Sequence, residues 1–127
     1  MKEKTLLPLV LTGKIVHGKG LGKTVGMPTA NLCVPDEALP EVGVYATRVR
    51  IDERVFDSIT NIGRRPSVDH EKHITVETYI FDFDENIYGE TLELEVIQFL
   101  RPVKKFQSLV EVHEQVKKDI EEAKKYL

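Results

Sequence analysis

The stretch GVYATRVRIDERVFDSITNI, residues 43–62, decides the fold. Gly43–Ile51 and Arg54–Ile62 are rich in β-branched and aromatic residues, and the polar pair Asp52-Glu53 stands between them. Two such runs around a two-residue turn predict an antiparallel hairpin. The same reading extends outward. ITVETYIFDF (74–83) and TLELEVIQFL (91–100) flank the turn-rich DENIYGE (84–90). In the last run Leu92, Leu94 and Val96 alternate with Glu93 and Glu95, which gives a strand one dry face and one wet face. Upstream, Val10–His17 predicts a first strand that runs into a glycine-rich loop.

Only the C-terminal end reads as helix. Ser108 and Glu111 have the spacing of a capping box, in which each side chain satisfies a backbone N–H of the first turn. Leu109, Val112, Val116, Ile120, Ala123 and Leu127 recur at steps of three and four and form one apolar stripe. Glu114 with Lys118, and Glu121 with Lys125, are favourable pairs on the polar side. Five or six antiparallel strands and one amphipathic helix predict a mainly β domain, a small closed barrel with the helix laid against it, since closure removes the sheet edges. The barrel is expected over about residues 8–101 and the helix over about 108–127, as one domain covering 1–127. The longer connections, Gly18–Pro28 and Gly63–His73, are the places where either function or disorder is expected.

The chain has 127 residues, one cysteine and a formal charge of −3. Cys33 excludes an internal disulfide and suits a reducing compartment, so the cytoplasm is the expected location. No apolar run reaches the roughly 20 residues of a membrane-spanning helix. The negative charge argues against indiscriminate nucleic-acid binding, which calls for a broad basic excess. Charge is local, however: Gly13–Ala30 carries Lys14, His17, Lys19 and Lys23 and no acid. A basic, glycine-rich segment in an acidic protein suits a small anion; a solvated flexible loop is the alternative.

HGKGLGKTVGMPTAN (17–31) contains Gly22-Lys23-Thr24, the end of a Walker A loop, but the glycine needed five residues earlier is replaced by His17. Thr29 and Asn31, two apart after Pro28, are expected to project to one side and to offer neutral oxygens that suit Mg²⁺; a turn satisfying its own backbone is the alternative. In 74–83, Thr75, Glu77, Tyr79, Phe81 and Phe83 share one face and Ile74, Val76, Thr78 and Ile80 the other. Glu77 is then a carboxylate among aromatics, where burial favours its neutral form and prepares a base; a rim carboxylate paired with Arg or Lys is the alternative. His70 and His73 lack a third ligand for zinc, Cys33 lacks a base that would activate it, and His113 belongs to a packing helix. Arg64-Arg65 suits either a phosphate or a surface loop.

GKIVHG, GKTVGMPTANL, GVYAT, NIGRRPSV, VETYIFDFDENIYGE, LRPVKKFQSL and DIEEAKKYL, in this order from about Gly13 to Leu127, resemble the riboflavin kinase (flavokinase) family. The resemblance implies a six-stranded antiparallel Greek-key β-barrel with a C-terminal α-helix. It implies transfer of the ATP γ-phosphoryl group to the 5′-hydroxyl of riboflavin, giving FMN, with Mg²⁺ as cofactor and ATP as co-substrate. By the same resemblance Gly18 and Lys23 lie in the nucleotide loop, Thr29 and Asn31 hold Mg²⁺ and phosphate, and Glu77 is the catalytic base. Arg101 and Phe106 fall in a flap, about 101–107, that closes over the flavin. The chain departs from the family pattern at Ser67, often Thr, and at Tyr79 and Val103, which are His and Glu in many bacterial members. Those members often carry the kinase behind an FAD synthetase domain.

This reading requires the Thr29/Asn31 pair and Glu77 to meet at the barrel mouth. Its expected partners are riboflavin or FMN and ATP or ADP, with neither nucleic acid nor membrane, and a monomer is expected. The competing expectation is a non-catalytic barrel that binds flavin or RNA.

Overall fold

The computed structural model describes residues 7–16, 29–35, 38–66, 72–83, 87 and 89–127, the side chains of 64–66 and 72–73 excepted. Six strands, β1 (Leu9–Val16), β2 (Ala30–Cys33), β3 (Gly43–Ile51), β4 (Arg54–Pro66), β5 (Lys72–Ile80) and β6 (Thr91–Arg101), precede one helix, α1 (Leu109–Lys124). The strands close into a barrel in the order β1-β2-β5-β4-β3-β6, and every paired neighbour is antiparallel. β3, β4 and β5 follow one another around the wall while β6 returns beside β3, which is a Greek-key arrangement.

The hairpin at the start of this reading is present, with Ile51 opposite Arg54. Asp52 takes a left-handed φ of 55° in its turn, which the short polar side chain of Asp tolerates better than most. β4 runs past Ile62 to Pro66, so the long connection expected from Gly63 is shorter than its apolar pattern suggested. β5 is also displaced from expectation, covering Lys72–Ile80 instead of 74–83. Asp82, at φ 53°, turns the chain there. Phe81 keeps the outward face of Tyr79 and packs with it on the helix side, whereas Phe83, beyond the turn, leaves that face and packs on Phe56 at 4.9 Å beside the barrel core.

Alternation places one set of side chains inside. Leu11, Ile15, Leu32, Val49, Ile62, Val76, Ile80, Leu92, Leu94 and Val96 form the buried core. Part of the interior is polar. Thr47 bonds Ser58 at 2.7 Å and Thr60 at 2.9 Å, and Thr60 bonds Thr78 at 2.9 Å, so the buried hydroxyls of β3, β4 and β5 satisfy one another. Tyr45, also interior, donates its hydroxyl to the Glu41 carbonyl. Burial, and then the nearby Glu41 carboxylate, push its phenol above the usual value.

Helix α1 covers the outer wall at β3, β4 and β6. Ala46 and Ile59 on that wall meet Ala123, with Val116, Ile120 and Leu127 around them. Ser108 caps α1 by accepting from the Glu111 N–H at 3.2 Å. The return bond of the box lands one residue earlier than expected, on the Gln107 N–H at 3.0 Å. Lys125 pairs with Glu122 at 3.1 Å, on a spacing of three. Leu109, the first residue of the stripe, is exposed.

Candidate active site

The register of three neighbouring strands assembles the site. In the β2–β5 ladder Asn31 stands opposite Glu77, and in the β5–β4 ladder Glu77 stands opposite Asn61. The next residue along each strand, Leu32, Val76 and Ile62, points into the core. Because successive side chains alternate, Asn31, Glu77 and Asn61 lie in one row on the outer wall. Thr29 precedes β2, two residues from Asn31, and both are half-buried.

The sequence set Glu77 among aromatics; the structure corrects its surroundings. Glu77 is half-buried, with amides on both sides and Thr75 and Tyr79 as the outward residues before and after it. The meeting place is also revised, being the outer wall and not the mouth. The reason is parity: Val76 and Thr78 take the interior positions, so Glu77 must face out.

The row continues across β3 to β6, since Asn61 stands opposite Val44 and Val44 opposite Arg101. Arg101 ends β6 and opens the expected flap. Its Nε and Nη2 donate to the two carboxylate oxygens of Asp119 at 2.8 Å each, and its Nη1 donates to the Pro102 carbonyl at 3.0 Å. Asp119 is buried and also accepts from Gln115 at 3.0 Å. The Phe106 ring lies 5.8 Å from the Arg101 guanidinium and 5.7 Å from the Lys104 ammonium. The segment after β6 and helix α1 border a cleft lined by Lys104, Phe106, Gln107, Gln115 and Lys118, among others.

Gly18 and Lys23 lie outside the described residues, as do His70 and Ser67. Asn31 and Glu77 are therefore brought together, with Thr29 two residues before Asn31, whereas Arg101 and Phe106 form a second group on the helix side. Asn61 and Asp119 escaped the sequence reading. Asp119 carried a signal, since it falls three residues after Val116 and four before Ala123, on the stripe itself. Asn61 carried a weak one, opening the NIGRRPSV segment and standing as an asparagine in a strand run, but its place beside Glu77 could not be read, because the pairing of β4 with β5 is not a local property.

Among the described residues no group of three His, Cys, Asp or Glu side chains could hold a metal ion. A hydroxyl, an amide oxygen and one carboxylate are hard oxygen donors, too few for a resident dication but suited to Mg²⁺ that arrives with phosphate oxygens and water. No helix among the described residues is long and apolar enough to cross a membrane.

Comparison with known proteins adds to this geometry. The Flavokinase family model, described as riboflavin kinase, matches residues 6–127. The bifunctional riboflavin kinase/FMN adenylyltransferase of Haemophilus influenzae is 37% identical over 120 residues, covering 94% of this chain and 39% of that protein. The RNA-binding riboflavin kinase RibR of Bacillus subtilis is 35% identical over 111 residues, covering 87% of this chain and 48% of that protein. A Streptococcus pneumoniae crystal structure titled as a macrolide-efflux protein superposes with a TM-score of 0.86 at 34% identity, over 94% of this chain and 40% of that one. The chain thus spans less than half the length of these relatives.

Proposed function

This chain belongs to the riboflavin kinase family, and from that premise we propose that it transfers the γ-phosphoryl group of ATP to the 5′-hydroxyl of riboflavin, giving FMN and ADP. The observation that carries the reading is the β2–β5 register, which sets Asn31 opposite Glu77. A group that takes a proton from an alcohol and a group that holds a phosphate must stand side by side for this chemistry, and the neighbouring positions of Glu77 and Asn31 support giving them these roles.

In this proposal Thr29 and Asn31 hold Mg²⁺ and phosphate oxygens, and Gly18 and Lys23 the rest of the triphosphate. A Mg²⁺ ion held by these residues would supply charge neutralisation for the transferring group and its leaving oxygen. Glu77 accepts the hydroxyl proton as the riboflavin oxygen bonds to the γ-phosphorus and the bond to the bridging β–γ oxygen breaks. Phosphoryl transfer has a loose transition state, so positioning and charge stabilisation supply most of the acceleration. Phe106 covers the flavin, and Arg101 sets the base of the flap through Asp119.

We further propose that residues 1–127 act as one monomeric domain in the cytoplasm. We assign it no nucleic-acid partner, since a net charge of −3 has the wrong sign for neutralising a phosphate backbone. The experiment is direct: riboflavin, ATP and Mg²⁺ are incubated with the protein and the flavins separated by chromatography. FMN that forms with wild type and not with Glu77→Gln is expected. Absence of FMN with wild type overturns the reading.

A further inference from the structure

Asn61 is a polar group on the candidate wall that the chemistry above leaves unused. It flanks Glu77 from β4 as Asn31 flanks it from β2. Asparagine is depleted from strands, because its side chain competes for the backbone and packs poorly on a pleated surface. Yet Asn61 lies well inside β4, and it is exposed. The preceding outward residue, Ile59, is only 6% exposed beneath α1, so the helix footprint ends where Asn61 begins. The next outward residue is Gly63. A side chain begun there would lie 3.7 Å from Asn61 Oδ1 and 3.8 Å from Thr75 Oγ1, so the glycine leaves a recess beside the amide. Glycine inside a strand marks a place where a ligand or a second backbone comes close.

We propose that Asn61 orients the acceptor, its amide hydrogen-bonding a secondary hydroxyl of the flavin polyol chain next to the primary hydroxyl that Glu77 deprotonates. This rests on the riboflavin kinase reading. Paired residues on one face stand about 5 Å apart at Cβ, so Asn31 and Asn61 occupy opposite flanks of the carboxylate. The phosphates are assigned to the Asn31 flank. The attacking and leaving oxygens lie roughly in line on either side of the phosphorus, so the alcohol approaches from the other flank, where Asn61 stands. An amide fits a polyol, since Oδ1 accepts from a hydroxyl while Nδ2 donates to one. A second carboxylate at 61 would oppose ionisation of Glu77.

The test is a chemical cycle with riboflavin and its 4′-deoxy analogue as acceptors. Asn61→Ala is expected to lower kcat/KM for riboflavin about tenfold, with KM for ATP within about twofold of wild type. Removing the hydroxyl is expected to cost wild type about tenfold and Asn61→Ala less than about twofold, since its partner is already gone. Asn61→Val, a stronger strand former, serves if alanine weakens β4. An unchanged kcat/KM in both variants, or full additivity of the two losses, overturns the inference while leaving the kinase reading intact. A wild-type protein that makes no FMN overturns both.

Discussion

Asn31 and Glu77 face each other across the β2–β5 ladder on the outer wall of the barrel, although forty-five residues of chain and two strands lie between them. Strand pairing alone makes them neighbours, and it holds them on elements whose own side chains fill the core.

Glu77→Gln keeps the shape of the side chain and removes its capacity to accept a proton. Turnover is expected to fall by about 10²–10⁴, with nucleotide affinity nearly unchanged. Single-turnover FMN formation together with ATP-analogue titration measures both. A variant with near wild-type turnover would take Glu77 out of the mechanism.

Thr29→Ala and Asn31→Ala remove neutral oxygens from the assigned metal flank. Each is expected to raise the Mg²⁺ concentration needed for half-maximal activity by about tenfold or more, with a smaller effect on KM for riboflavin. Magnesium titrations at fixed ATP decide it; an unshifted curve refutes the assignment.

Asp119→Ala strips Arg101 of its bidentate partner and Gln115 of its acceptor. Hydrogen bonds to charged groups contribute more than neutral ones, so a loss of about 2–3 kcal/mol in unfolding free energy is expected. Urea unfolding of Asp119→Ala, Arg101→Ala and the double variant should show that the second substitution adds little to the first. Fully additive losses would mean that the pair is not coupled.

Tyr45 predicts a pH dependence. Its phenol titrates above its unfolded value, because burial and then Glu41 oppose the phenolate. The unfolded chain therefore releases this proton first as pH rises. The tyrosine contribution is fully present below about pH 10, the ordinary phenol value, and is lost as pH climbs from there through the raised folded value. Thermal melts of wild type and Tyr45→Phe between pH 8 and 11 should show a steeper alkaline loss in wild type. Parallel curves would remove Tyr45 as the cause.

Much of this protein follows from local pattern. Alternation in 91–100, the hairpin around Asp52-Glu53, and the Ser108 cap before an apolar stripe depend on residues within a few positions of each other, and each of these elements is present. The segments carrying the family resemblance needed only residue order. The elements that departed from expectation did so where a local rule met a distant partner. Apolar and aromatic residues continue through Phe83, but Asp82 turns the chain, so Phe81 stays with Tyr79 on the helix side while Phe83 is sent to Phe56 beside the core.

The sequence by itself determined the hairpin, the alternating last strand and the C-terminal helix, and it singled out Thr29, Asn31 and Glu77 as candidates, because side-chain type and spacing of two or 3.6 residues are properties of a single segment; the short strand β2 was not among its expectations. Only the tertiary structure decided that Glu77 faces outward between two amides, that Asn61 shares its row, and that Asp119 anchors Arg101. Those facts depend on which strand pairs with which and in what register, and a one-residue slip would turn every one of these side chains to the opposite face.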